Sequence, residues 1–379
     1  MINNPDQIEA PPQYRDILHS DSVFVRFQDG EATRNKLDYG VNQEAPTLHR
    51  GLKERHMTMI AVGGTIGTGQ ALSASGPGGI LVSYFIVAIM VYFVMTSLGE
   101  LATYMPISGS FNTYGSRFID PAFGFALGWN YWFSWVVTIS GELVAAGILV
   151  QFWLPHVTTV IWSFIGMFIM FLLNAFSVKG YGEAEYWFAL IKVIAVVVFV
   201  VIGCVTDGGA LGHHKYAFEN WNRKEAPFVN GVAGVITTFI ISGFSFQGTE
   251  VVGVTAGESK NPAKDVPRAM RQIIWRIILF YIASIFIMGL IIPYDDPDLA
   301  KIDGVKNIAV SPFTLVFVRA GLGPAVHVMN AVILCTVLSA GNSGVYVCSR
   351  VLWALALENK APKFLRRITK NGIPIWVIF

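Results

Sequence analysis

The sequence predicts an all-α integral membrane protein, on three observations: too few charges, a series of long apolar segments, and a lopsided placement of lysine and arginine. Of 379 residues, 53% are hydrophobic and 14% charged, where a soluble domain carries roughly 25% charged residues. A soluble chain of this length needs a charged surface over its cores, and this one lacks the charge to build it. The net charge of +2 provides no field for a nucleic acid. The three cysteines, Cys204, Cys335 and Cys348, lie in or beside apolar runs. They form neither a disulfide framework nor a CxxC metal pattern.

Residues 1–50 are polar and aperiodic, with Pro5, Pro11, Pro12 and Pro46, and are expected to be a disordered tail rather than a signal or transit peptide. Residues 51–379 form the transmembrane domain. A hydrocarbon core of about 30 Å takes roughly 20 helical residues. Eight segments qualify, near 57–75, 79–105, 122–152, 157–178, 184–206, 230–256, 270–293 and 324–356, and a ninth begins at Pro374. They are helices because a backbone in lipid must satisfy its own hydrogen bonds. With a cytoplasmic tail, 20 lysines and arginines fall inside and 6 outside, with Lys192 alone within a span. The positive-inside rule therefore predicts a cytoplasmic N-terminus. It also accounts for the basic stretch 360–370, so no nucleic-acid partner is expected.

Two spans are interrupted by glycine, at Ile60-Ala-Val-Gly-Gly-Thr-Ile-Gly-Thr-Gly69 and at Ile241-Ser-Gly-Phe-Ser-Phe-Gln-Gly-Thr-Glu250. Such breaks in matching positions of two halves point to a transporter site. A broken helix frees N–H groups that take a carboxylate and carbonyls that take an ammonium. Close helix packing is the competing explanation. No Lys-Ser/Thr follows the glycines, which excludes a nucleotide loop.

Ionisable residues in spans are the next signal, because each is costly there. Lys192 has apolar neighbours on both sides and reads as a proton carrier or as half of a static ion pair. Glu250 follows the second break and is placed to face a cavity; Glu258, nearer the cytoplasmic end, caps its helix or pairs with Lys260. Glu142 shares a helical stripe with Tyr131, Trp135 and Thr138, an aromatic wall with a carboxylate that suits a cation or else a packed, hydrogen-bonded interior. His213 and His214 lack matching ligands, so no metal is expected. No set of nucleophile, base and acid has workable spacing, and no enzyme activity is expected.

The strings GGTIGTG at 63–69, GFALGWNYWFSW at 124–135, YGEAEYWFALIKV at 181–193, GFSFQGTE at 243–250, AGESKNPAKDVPRAMRQ at 256–272 and SAGNSGVYVCSR at 339–350 resemble amino-acid permeases. The superfamily is that of the amino acid–polyamine–organocation transporters, and bacterial lysine-specific and fungal basic amino-acid permeases are particularly similar. The resemblance implies two inverted five-helix repeats, here about 57–206 and about 230–379. Substrate is held at the broken first and sixth helices. Gly67, Thr68, Gly69, Tyr131, Trp135, Phe244 and Glu250 are the implied pocket. It further implies proton symport with no cofactor, Lys192 and Glu258 in proton coupling, and Asp303 beside Glu142 in cation handling. A multi-pass protein of the cell membrane importing lysine or another basic amino acid is the leading expectation.

The chain departs from that pattern twice. About six residues are missing after Gly69, about 9 Å of helix, and the second repeat stops at the start of the ninth span. A membrane sensor with a signalling partner, and a truncated remnant that does not transport, are therefore the alternatives. In the latter, Asn342, Ser343 and Ser349 are expected to lack partners that later spans would supply.

Overall fold

A computed structural model of the chain describes residues 68–107, 109–176, 178–259, 261–300, 311–369, 373–374 and 377. The tail, the first span as far as Gly67, Asp303 and most of the ninth segment lie outside the described residues. Within them every regular element is helical: α1 Thr68–Tyr104, α2 Phe111–Phe118, α3 Pro121–Gln151, α4 Thr159–Phe176, α5 Val178–Asp207 and α6 Gly231–Ser245. There follow α7 Val251–Thr255, α8 Pro262–Arg276, α9 Ser284–Ile291, α10 Pro297–Ala300, α11 Pro312–Arg319 and α12 Ala325–Leu357. A π-helical stretch, Ile277–Ala283, joins α8 to α9.

Among the described residues, four helices are long and apolar enough to cross a membrane: Thr68–Tyr104, Pro121–Gln151, Gly180–Asp207 and Ala325–Leu357. Thr159–Ala175, Gly231–Ser245 and Phe280–Ile291 are shorter apolar helices. The third and eighth expected spans correspond to α3 and α12 almost residue for residue. The seventh begins earlier than its apolar run, because the Asp265 carboxylate accepts from the Ser259 hydroxyl at 2.6 Å and from the Asn261 N–H at 3.3 Å, capping α8 in polar sequence. The outward faces carry Phe85, Met90, Phe93, Phe164, Phe168 and Ile240 exposed, as surfaces that meet lipid do.

The expected first and second spans run together in α1 across a break at Gly76, whose φ of 73° and ψ of 173° are not helical. Both ends of that break are satisfied by the segment before α6. Pro227 O accepts from Gly78 N at 2.9 Å and Gly79 N at 3.2 Å, while Val229 N donates to Ser75 O at 3.0 Å. Asn230 Nδ2 donates to Ala74 O at 3.1 Å. The break thus ties α1 to the start of α6, and the two helices stay together down to Tyr84 and Ser245, whose hydroxyls are 2.8 Å apart.

A Cβ on Gly76 would lie 2.7 Å from Pro227 O, and its φ is unfavourable to any L side chain. Gly76→Ala is expected to cost at least about 1–3 kcal/mol. Gly243→Ala, where an added Cβ meets nothing within 4 Å, is the control. Thermal unfolding of both variants in detergent checks this.

Candidate functional site

The sixth span is broken, as its glycines predict. α6 ends at Ser245, the chain turns through 246–250, and α7 resumes at Val251. Gly248, with φ of 101°, is the residue the turn requires; Gly243 sits in regular helix. Glu250 closes the turn on itself, its Oε2 accepting from Gly248 N at 2.8 Å. The carbonyl of Ser245, freed at the end of α6, accepts from the Tyr281 hydroxyl at 2.8 Å.

The stripe predicted on α3 faces this turn. Tyr131 donates its hydroxyl to Glu250 Oε1 at 2.9 Å, and Thr138 donates to Gln247 Oε1 at 3.1 Å. Trp135, 3% exposed, stands edge-on to Tyr131 at 6.5 Å between centroids. Its indole N–H faces the Tyr131–Glu250 pair without closing a hydrogen bond. The group is an aromatic wall, an unused donor and a carboxylate at a helix break. Thr68 and Gly69 open α1 and are buried; Gly67 is outside the described residues. Phe244 does not join them. It is 47% exposed and stands two helical positions, about 200° of rotation, from the buried Ser242 on the interior face of α6. Phe246 takes the inner place, 2% exposed against Tyr281 and Tyr84, with centroids at 4.6 and 5.9 Å.

A second polar cluster lies between α5 and α12. Lys192 Nζ donates to Ser339 Oγ at 2.9 Å, and Ser339 Oγ donates to Glu185 Oε2 at 2.6 Å. Asn342 Nδ2 donates to Glu185 Oε1 at 2.6 Å, and Asn174 Nδ2 donates to Asn342 Oδ1 at 2.8 Å. Glu142 is 4% exposed, with Oε2 unpaired, and lies within electrostatic reach of Lys192. Sequence reasoning missed Glu185, although its spacing of seven from Lys192 places both on one helical face.

Two expectations are corrected by α12, and a third falls outside the described residues with Lys260, the expected partner of Glu258. Glu258 is joined to Arg350, Oε1 to Nε at 2.8 Å with both side chains buried. Arg350, counted above among the cytoplasmic cations, is an interior residue, its guanidinium 3.8 Å over the Tyr346 ring. Tyr346 in turn stacks on Tyr181 at 4.3 Å. Asn342, Ser343 and Ser349 do not lack partners: Tyr181 donates to Ser343 at 3.3 Å, and Ser349 donates to Tyr346 O at 2.7 Å and accepts from Arg350 at 2.8 Å. The partners are on α4, on α5 and on α12 itself, so no later span is needed to satisfy them.

Comparison with known proteins decides the family: a family model described as "Amino acid permease" matches residues 56–378. The chain belongs to the amino acid permease family. Among curated relatives, the permease chain is 54% identical over 338 residues to the lysine-specific permease LysP of Escherichia coli (strain K12), covering 87% of this chain and 69% of that protein. It is 49% identical over 339 residues to LysP of Lactococcus lactis subsp. cremoris (strain MG1363), covering 86% and 66%. It is also 49% identical over 338 residues to that strain's histidine permease HisP, covering 87% and 70%. The chain thus spans about two thirds of the length of these relatives. Family membership and the apolar helices together make it a multi-pass membrane protein.

Removing one member of a buried ion pair leaves the other charge uncompensated, at about 3–5 kcal/mol. Arg350→Met and Glu258→Gln are each expected to lower thermal stability in detergent by that order. Combined, they should cost clearly less than the sum of the two.

Proposed function

We propose that the permease takes up lysine or another basic amino acid across the cell membrane, coupled to protons, and is not an enzyme. The observation that carries this reading is the carboxylate of Glu250, placed at a helix break beside Tyr131 and the unused N–H of Trp135. A zwitterionic amino acid has two needs that a broken helix meets with backbone dipoles alone. A cationic side chain adds a third, a carboxylate in a water-poor setting with aromatic faces nearby. Glu250 is the first choice for that role and Glu142 the second. The N–H groups at the end of the glycine string, at the buried Thr68 and Gly69, are offered to the substrate carboxylate, with Gly67 and the loop residue Asp303 as further contributors.

The relatives' names, lysine-specific and histidine permease, support a basic substrate. The tally of basic residues supports a cytoplasmic N-terminus. The break at Gly248, following the glycine string at 63–69, supports two inverted five-helix repeats, beginning about residues 57 and 230. In this arrangement Lys192 carries the coupling proton. Glu258 acts with it from the cytoplasmic side by holding Arg350.

If Glu250 meets the substrate cation, Glu250→Gln weakens lysine binding by about 2 kcal/mol or more, some 30-fold, and spares a neutral amino acid. Equal losses for both would show that Glu250 serves only the turn. Uptake into vesicles driven by a proton gradient tests the coupling: Lys192→Met is expected to abolish accumulation, and normal accumulation would refute the assignment.

A further inference from the structure

Glu185 is the buried carboxylate to which the transport reading gives no task. It is 1% exposed, on the same face of α5 as Lys192 and two turns away. The two do not need to meet directly, because the Ser339 hydroxyl stands between them, accepting from Lys192 at 2.9 Å and donating to Glu185 at 2.6 Å. A hydroxyl bonded in that sense is already aligned for a proton to pass from the nitrogen to the carboxylate.

We propose that Glu185 is the proton acceptor for Lys192, reached through Ser339, so that the pair alternates between ammonium with carboxylate and amine with carboxylic acid. The proposal rests on the reading that Lys192 couples protons to transport. In the step, an N–H bond of Lys192 breaks as an O–H bond forms at Ser339. The original O–H bond of Ser339 breaks as one forms at Glu185 Oε2. Ser339 ends with one proton, as it began, and the total charge is unchanged. What changes is that two buried charges become two neutral groups.

The surroundings suit such an exchange. A closed, dry interior favours the neutral pair, because two buried charges bear a desolvation cost that bridged attraction repays only in part. Opening to water favours the charged pair and lets either member exchange its proton with the aqueous side. Asn174 holds Asn342 by its carbonyl, which leaves the Asn342 NH2 group directed at Glu185 Oε1 and keeps Oε2 for Ser339. The charged and titratable groups around the pair are Glu142 from α3, Tyr181 on α5 itself, and Cys335, Tyr346 and Arg350 from α12, with Glu258 behind Arg350. α4 contributes only the uncharged Asn174.

The test uses the whole 379-residue chain in detergent, with labelled lysine binding measured across pH and the protonated-carboxyl band followed by difference infrared spectroscopy. The band is recorded both on adding lysine and on pH titration without ligand. One coupled proton changes affinity about tenfold per pH unit. Glu185→Gln and Ser339→Ala are expected to flatten that slope to less than about twofold and to remove the band; Glu185→Asp, which keeps a carboxylate, restores it. A slope and band in Glu185→Gln that superimpose on the unmodified chain would overturn the proposal. Should Glu185→Gln fail to elute as a folded species, Ser339→Ala decides on the same two readouts. Lys192→Met separates the two layers. A slope it leaves intact sinks the coupling reading itself, whereas a slope lost in Lys192→Met but kept in Glu185→Gln sinks only the role of Glu185.

Discussion

A backbone or side-chain polar group released inside an apolar bundle must find a partner, since it has no water to fall back on. That constraint shapes this permease more than any other. At Gly76 the carbonyls of Ala74 and Ser75 and the N–H groups of Gly78 and Gly79 leave the helix together, and the segment 227–230 answers all four. At Gly248 the turn is answered by the carboxylate of Glu250, and the end of α6 by Tyr281. Each break is therefore also a joint. One fixes α1 to α6, and the other fixes α6 to the π stretch before α9.

The same constraint sorts the charges. Arg350 and Glu258 pair directly, Nε to Oε1, and both side chains are buried, which fixes α12 against the turn that ends the sixth span. Lys192 and Glu185 are linked through the Ser339 hydroxyl, which bonds to both.

The spans that became α3 and α12 and the stripe on α3 were legible in the sequence because both are local. Apolar length reads directly as a helix, and spacings of four, seven and eleven residues put Tyr131, Trp135, Thr138 and Glu142 on one face. The turn in the sixth span was legible because Gly248 and Glu250 lie within a few residues of each other. The α12 network was not, because Ser339 and Glu185 are 154 positions apart and Arg350 and Glu258 are 92 apart. Arg350 was mistaken for a loop cation because it closes an apolar run, and no count along the chain shows that a glutamate folds back onto it. Phe244 and Phe246 differ by two positions, and once a helix ends between them their faces are set by the turn. α2 and α11 were missed because eight-residue helices flanked by longer spans carry too little periodicity to stand out.

The two polar groups, at the sixth-span break and at Lys192, share one wall, which is α3. Trp135 borders the first, and Glu142, two turns further on, borders the second. α12 can lie against that wall only where its side chains are small: a Cβ on Gly344 would sit 3.0 Å from Trp135 and 2.6 Å from Ile139, and one on Gly341 would lie 3.7 Å from the Cβ of Glu142 and 2.5 Å from Met170 of α4. Those contacts carry Ser339 and Asn342 to their places beside Glu185. A movement of Trp135 therefore presses on the helix that supplies the bridge between Lys192 and Glu185. The link needs no chain of intermediates, because one close-packed helix contact borders both groups. Interiors packed this tightly shift between discrete arrangements rather than deform continuously.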